Sequence, residues 1–127
     1  METKVVKGKK VLIVEDDFYV VKFLNMALKP LQLSLIHTVN GKDSVDRVKN
    51  DPEIALVLMD IKLPLMNGYV ATKEIKKIRP ELPVIAQTAF ALAGDEEKAI
   101  NAGCDEYITK PLNRKKLITL IQKYLTK

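Results

Sequence analysis

The sequence predicts an α/β fold in three layers: a doubly wound, five-stranded parallel sheet covered on both faces by five helices. Two observations carry this. Short apolar runs alternate five times with segments of helical periodicity along the 127 residues, the pattern produced by successive right-handed βαβ crossovers. The run 54–59 (IALVLM) has no charged or hydrogen-bonding side chain, as a strand buried on both faces of a parallel sheet requires. That run ends in Asp60, and a Pro/Asn/Gly turn follows over 64–68. Asp60 is thereby placed at the carboxyl end of a central strand, where open α/β sheets bind their ligands. Read alone, it fits a carboxylate that caps the next turn equally well.

The elements follow in order. Residues 1–9 are polar and form a lead or linker, and the folded domain spans 10–126. Residues 11–15 (VLIVE) form the first strand. Asp17 offers an N-cap, and Val20, Phe23, Leu24, Ala27 and Leu28 recur at helical spacing until Pro30. Residues 33–38 alternate in polarity and predict a strand near a sheet edge. A short polar helix over 41–50 turns Val45 and Val48 inward and stops at Asp51-Pro52. After the third strand, 54–60, a helix with Ala71, Ile75 and Ile78 on its inner face ends before Pro80. Residues 83–88 (PVIAQT) form the fourth strand, followed by a small-residue loop over 89–94. The helix over 95–102 is short and weakly apolar, so it is expected to be the most mobile. Gly103 ends it, 105–109 form the fifth strand, and Leu117, Leu120, Ile121, Tyr124 and Leu125 define a strong last helix.

Composition narrows the function. The net charge of +5 comes from cations spread along the chain, and there is no Trp to stack on bases; direct nucleic-acid binding is not expected. A single cysteine, Cys104, excludes an internal disulfide and reads as a small packing residue. No apolar run reaches the length of a membrane span and no signal-peptide core begins the chain. The expectation is a cytoplasmic domain without membrane contact.

The chemistry gathers at the strand ends. Strand one ends in Glu15-Asp16-Asp17, strand three in Asp60, strand four in Thr88, and strand five runs into Lys110-Pro111. In a parallel sheet these ends share one edge. Carboxylates crowded there need compensation by a proton, a side-chain cation or a metal, and hard oxygen ligands suit Mg²⁺, with Mn²⁺ able to substitute. Lys110 can neutralise a carboxylate and the Thr88 hydroxyl can donate to an oxyanion. Together these residues make a site for a phosphoryl group carried on Asp60 as nucleophile.

In this joint order and spacing, residues 10–126 resemble a response-regulator receiver domain, the phosphoacceptor module of two-component signalling. The resemblance implies a flavodoxin-like sheet of order 2-1-3-4-5. It makes Asp60 the phosphorylated aspartate, Asp16 a direct Mg²⁺ ligand, Glu15 an acid that holds metal through water, and the Lys62 backbone carbonyl a further ligand. Thr88 resembles the switch hydroxyl, Tyr107 the switch aromatic, and Lys110 the lysine whose peptide bond to Pro111 is usually cis. Lys62 and Phe90 flank the path of water to the phosphoryl group and are expected to tune its lifetime, and small Ala89 admits phosphodonors. Asp17 has no metal role in the family. His37 has none either and lies on strand two, away from the active edge. No phosphodonor histidine is apparent, so the implied partner is a histidine kinase or a histidine phosphotransfer protein. The domain is then a phosphoacceptor and not an enzyme acting on a separate substrate. On phosphorylation, Thr88 and an inward-turning Tyr107 would alter the face of helix four, strand five and helix five.

The segments KGKKVLIVEDD and VIAQTAFA are closest in style to receivers of hybrid histidine kinases. The chain departs from the family pattern at Glu15 and Asn67, where Asp is frequent, and at Leu63, where Met is; none removes a chemical group the site needs. A haloacid-dehalogenase-type phosphatase would need a second Asp at position 62, and a Toprim-like nuclease an Asp-x-Asp. A flavin carrier would need a Ser/Thr/Gly-rich phosphate loop after strand one. The remaining alternative is a receiver-like docking module that works without phosphorylation.

Overall fold

In the computed structural model, residues 6–88 and 94–126 are described. Five parallel strands, β1 (Lys10–Val14), β2 (Ser34–Thr38), β3 (Ile54–Asp60), β4 (Val84–Thr88) and β5 (Glu106–Thr109), pair in the order 2-1-3-4-5. Helices α1 (Phe18–Ala27), α2 (Gly41–Asn50), α3 (Gly68–Ile78), α4 (Asp95–Ala102) and α5 (Arg114–Leu125) connect and follow them. This is the expected three-layer fold, with each strand within one residue of its predicted bounds. β2 is an edge strand, as its alternation required. The 89–93 segment, with Ala89 and Phe90, lies outside the described residues.

The central strand explains the rest. Leu56, Val57, Leu58 and Met59 are all fully buried, because their side chains point alternately to the two faces and both faces are covered. Val57 and Met59 join Leu12, Val14, Ala71, Ile75, Val84 and Ala86 in one core. Leu56 and Leu58 join Ile13, Leu24, Ile85, Leu117 and Ile121 in the other. Burying each large side chain contributes about 1.5–3 kcal/mol, so β3 is the best-anchored platform available for a functional side chain.

Asparagine and aspartate caps start α1, α2, α3 and α5, whereas Gly94 precedes α4 without a side-chain cap. Asp17 accepts from the Tyr19 N–H at 2.9 Å, Asn40 from Asp43 at 2.8 Å, Asn67 from Val70 at 3.0 Å and Asn113 from Lys116 at 3.0 Å, each satisfying an otherwise open donor of the first turn. The expected inner face of α1 holds at Leu24, Ala27 and Leu28, with Val20 packed against the core, and fails at Phe23, whose place Val21 takes. Val21, Leu24 and Ala27 are buried, whereas Phe23 is 39% exposed beside Phe18 at 72%, Tyr19 at 81% and Met26 at 69%. Helical periodicity alone could not separate the two faces, because both carry apolar residues.

The turn after Asp60 is held by backbone contacts. The Gly68 N–H donates to the Ile61 carbonyl at 2.8 Å, and a Cβ at Gly68 would strike the Asp60 carbonyl oxygen. Inside the turn, Leu65 has φ 67° and the Met66 N–H donates to the Pro64 carbonyl at 2.8 Å. This is a γ-turn of the strained, positive-φ kind, uncommon for a bulky residue. The Leu65 side chain is 81% exposed and contributes little packing in return. Leu65→Gly should therefore raise stability by about 1 kcal/mol, measured as a higher urea midpoint. A lowered midpoint would show that the side chain does contribute.

Candidate functional site

The β1, β3, β4 and β5 ends bring the predicted residues to one edge. Val14 is aligned with Met59, so Glu15 and Asp60, each one residue further on, stand side by side. Carboxylate oxygens of Glu15, Asp16 and Asp60 lie within 4.8 Å of one another. Glu15 is fully buried and Asp60 is 5% exposed, while Asp16 faces solvent. Two buried carboxylates at this spacing repel, and the structure shows the compensation. Lys110 Nζ lies 3.0 Å from Glu15 Oε1 and 3.7 Å from Asp60 Oδ1. The Asp17 N–H donates to the other Glu15 oxygen at 3.1 Å.

Lys110 is delivered by β5. Its N–H donates to the Thr88 carbonyl at 2.7 Å, which ties the strand end to β4. The following peptide bond to Pro111 is cis, as the resemblance implied. The compensation at Asp60 is incomplete. Burial, reinforced by the Glu15 charge, pushes its carboxyl from 3.8 up to about 7 against the opposing pull of Lys110 and the Lys62 N–H. A carboxylate so destabilised favours a cation, and the exposed Asp16 leaves the cluster open on one side. The three acids offer only hard oxygen donors, the set that fits Mg²⁺.

Thr88 closes the edge from β4 and is 4% exposed. Tyr107, on β5, has a buried hydroxyl without a hydrogen-bond partner among the described residues. Burial, with Asp95 and Glu96 nearby, raises its pKa. Lys62 is exposed in the β3–α3 turn. Phe90 lies in the segment outside the described residues.

The placement of His37 needs correction. Ile13 and His37 are aligned, and the imidazole Nε2 lies 2.8 Å from the Glu15 backbone oxygen. Although exposed, His37 touches the backbone behind the acidic cluster, because its ring leans along the strand toward the active edge. The sequence reading also missed Gln87, a fully buried amide aligned with Asp60. The signal was present: a polar residue interrupts the apolar run VIA just before Thr88.

The model of the response regulator receiver domain family matches residues 11–122. The polar-differentiation response regulator DivK of Brucella anthropi is 39% identical over 121 residues, covering 92% of this chain and 96% of that protein. The hybrid signal transduction histidine kinase G of Dictyostelium discoideum is 38% identical over 120 residues, 91% of this chain but only 4% of the kinase. Among solved structures, the receiver domain of sensor histidine kinase PA1611 from Pseudomonas aeruginosa, which holds a magnesium ion in its active-site cleft, has a TM-score of 0.87 at 31% identity. That match covers 94% of this chain and 99% of the other. The receiver domain of Saccharomyces cerevisiae Ssk1, crystallised with the histidine phosphotransfer protein Ypd1, also has a TM-score of 0.87, at 29% identity, covering 97% and 92%. Shared order, shared sheet topology and an acidic edge backed by lysine lead to one assignment: the chain belongs to the response-regulator receiver domain family.

Proposed function

We propose that this domain accepts a phosphoryl group on Asp60 from a phosphohistidine of a histidine kinase or phosphotransfer protein, and relays the signal through a changed protein-binding face. The observation that carries this is the pairing of a buried, charge-crowded Asp60 with Lys110 at 3.7 Å. An Asp60 Oδ forms the new O–P bond as the P–N bond to the donor imidazole breaks, with the electron pair returning to the imidazole. Lys110 faces the oxygens that gain charge, and the Thr88 hydroxyl donates to one of them. Asp16, Asp60 and the Lys62 carbonyl would hold Mg²⁺, with Glu15 acting through water, and the ion would supply neutralisation of phosphoryl charge. The chain's role is to position these groups. On this reading it catalyses its own phosphorylation and dephosphorylation only, at a cytoplasmic location. No described helix is long and apolar enough to cross a membrane.

The surroundings of the site fit a protein donor. A groove of about 270 Å³ beside Lys110 is lined by Tyr19, Val20 and Phe23 of α1 and by Pro111 and Leu112. Its apolar walls, next to the exposed Phe18 and Met26, suit docking of a helix that presents the phosphohistidine. The match to the Ssk1 receiver domain, crystallised with the histidine phosphotransfer protein Ypd1, supports a receiver working with such a partner.

Incubation with acetyl phosphate and Mg²⁺ should add one phosphoryl group by mass, and EDTA should prevent it. Mg²⁺ alone should raise the melting temperature, and Asp16→Asn should remove that increment while leaving the metal-free protein folded. An equal Mg²⁺ increment in Asp16→Asn would place the metal elsewhere. A phosphorylation-independent docking module predicts no mass change in any condition.

A further inference from the structure

Beside Asp60 stands an amide that the proposed reaction has not used. Gln87 is aligned with Asp60 on one side and Ile108 on the other, and aligned residues of parallel neighbours project from the same face of the sheet. Ile85, two residues earlier on that face, is buried in the core with Leu117 and Ile121. Gln87 is itself fully buried, yet neither Nε2 nor Oε1 has a hydrogen-bond partner among the described residues. An orphaned buried amide destabilises a protein, whereas Leu or Met of similar volume would stand there without that penalty. Such a group calls for a state in which it is used.

Lys110 supplies that state. It follows Ile108 by two residues, so it starts one layer further toward the active edge on the face Gln87 shares. Its ammonium has three N–H donors. In this structure it sits closer to Glu15 Oε1, at 3.0 Å, than to Asp60 Oδ1, at 3.7 Å. On the reading of Asp60 as phosphoacceptor, on which this inference rests, a phosphoryl group there draws the ammonium away from Glu15. We propose that Gln87 is a positioning residue for phosphoryl transfer: its Oε1 accepts an N–H from Lys110 as the ammonium turns from Glu15 to the phosphoryl oxygens on Asp60. The amide forms no covalent bond. It fixes where the cation stands, and through Lys110 it sets the alignment of the reacting oxygens.

The test compares Gln87→Met and Gln87→Leu with the wild-type chain, using acetyl phosphate as donor in Mg²⁺ buffer. Both variants should fold with an unfolding midpoint equal to or above wild type. Their rate of phosphoryl uptake should fall by about tenfold to a hundredfold, with the acetyl phosphate concentration for half-maximal rate unchanged. In the wild type, the Gln87 side-chain amide resonances should move when beryllofluoride and Mg²⁺ are added, and should stay put in Lys110→Met. Uptake at the wild-type rate in either folded variant would overturn the proposal, as would an unmoved amide resonance. Failure of both variants to fold would make Gln87 a structural amide and overturn it too. A wild-type chain that takes up no phosphoryl group refutes the phosphoacceptor reading itself; an active wild type with equally active variants refutes only the role of Gln87.

Discussion

Replacing Asp60 by Asn should stabilise the metal-free protein at pH 8 by roughly 2–4 kcal/mol while abolishing phosphoryl uptake. The unfolded chain releases the Asp60 proton near 3.8, whereas the folded protein holds it to about 7. Between those values the folded state binds more protons than the unfolded state, so stability falls as pH rises through the window and levels off above it. Asn carries no such charge and escapes the loss. The gain should therefore shrink to roughly 1 kcal/mol at pH 5, where Asp60 in the folded protein is already protonated. Because Glu15 shares the titration, the full three-unit displacement sets an upper bound. Urea unfolding of both proteins in EDTA at pH 5 and pH 8 measures the difference. A gain that does not grow with pH would mean that burial and the Glu15 charge do not hold the Asp60 carboxyl above its ordinary range. Mg²⁺ should narrow the pH 8 gap by stabilising the wild-type carboxylates alone.

Lys110→Met should act in the opposite direction on stability. Glu15 is fully buried, and Lys110 Nζ is the cation 3.0 Å from it. Removing one partner of a buried pair leaves the other charge uncompensated, which costs about 2–4 kcal/mol here because the cluster opens toward solvent at Asp16. Phosphoryl uptake should fall at least about a hundredfold, since the group facing the developing charge is gone. Melting curves in EDTA, together with uptake rates from acetyl phosphate, check both halves. If the variant matched wild-type stability and rate, the ion pair would be incidental. The opposite signs expected at Asp60 and Lys110 come from one cluster in which two buried acids and the exposed Asp16 share one cation.

Most of this architecture was legible in the sequence because its signals are one-dimensional. The charge-free run 54–59, bounded by turn signals, suited a doubly covered strand; Pro80 and Gly103 follow the ends of α3 and α4, while Pro30 lies in a 3-10 turn just after α1. The acids at 15 and 16, Asp60, Thr88 and Lys110 could be gathered because a parallel sheet puts every strand's carboxyl end on one edge. What escaped needed the third dimension. On α1, Val21 rather than Phe23 faces inward, since both are apolar and only packing separates them. His37 seemed remote because the reading stopped at its strand; the parallel register and the length of the imidazole bring it to the Glu15 carbonyl. The polar Gln87 does break the apolar run VIA, but that its amide and the Tyr107 hydroxyl have no hydrogen-bond partner among the described residues could not be read from polarity.

The central claim is that Asp60 itself carries the phosphoryl group. Phosphorylating the protein with acetyl phosphate and Mg²⁺, reducing the acyl phosphate with borohydride, and mapping the peptides by mass spectrometry tests it directly. Reduction converts a phosphorylated aspartate to homoserine and leaves every unmodified aspartate intact. The account predicts homoserine at position 60 alone, and none in the sample treated with EDTA. Homoserine at Asp16 or at any other acid, or Mg²⁺-independent labelling, would contradict it.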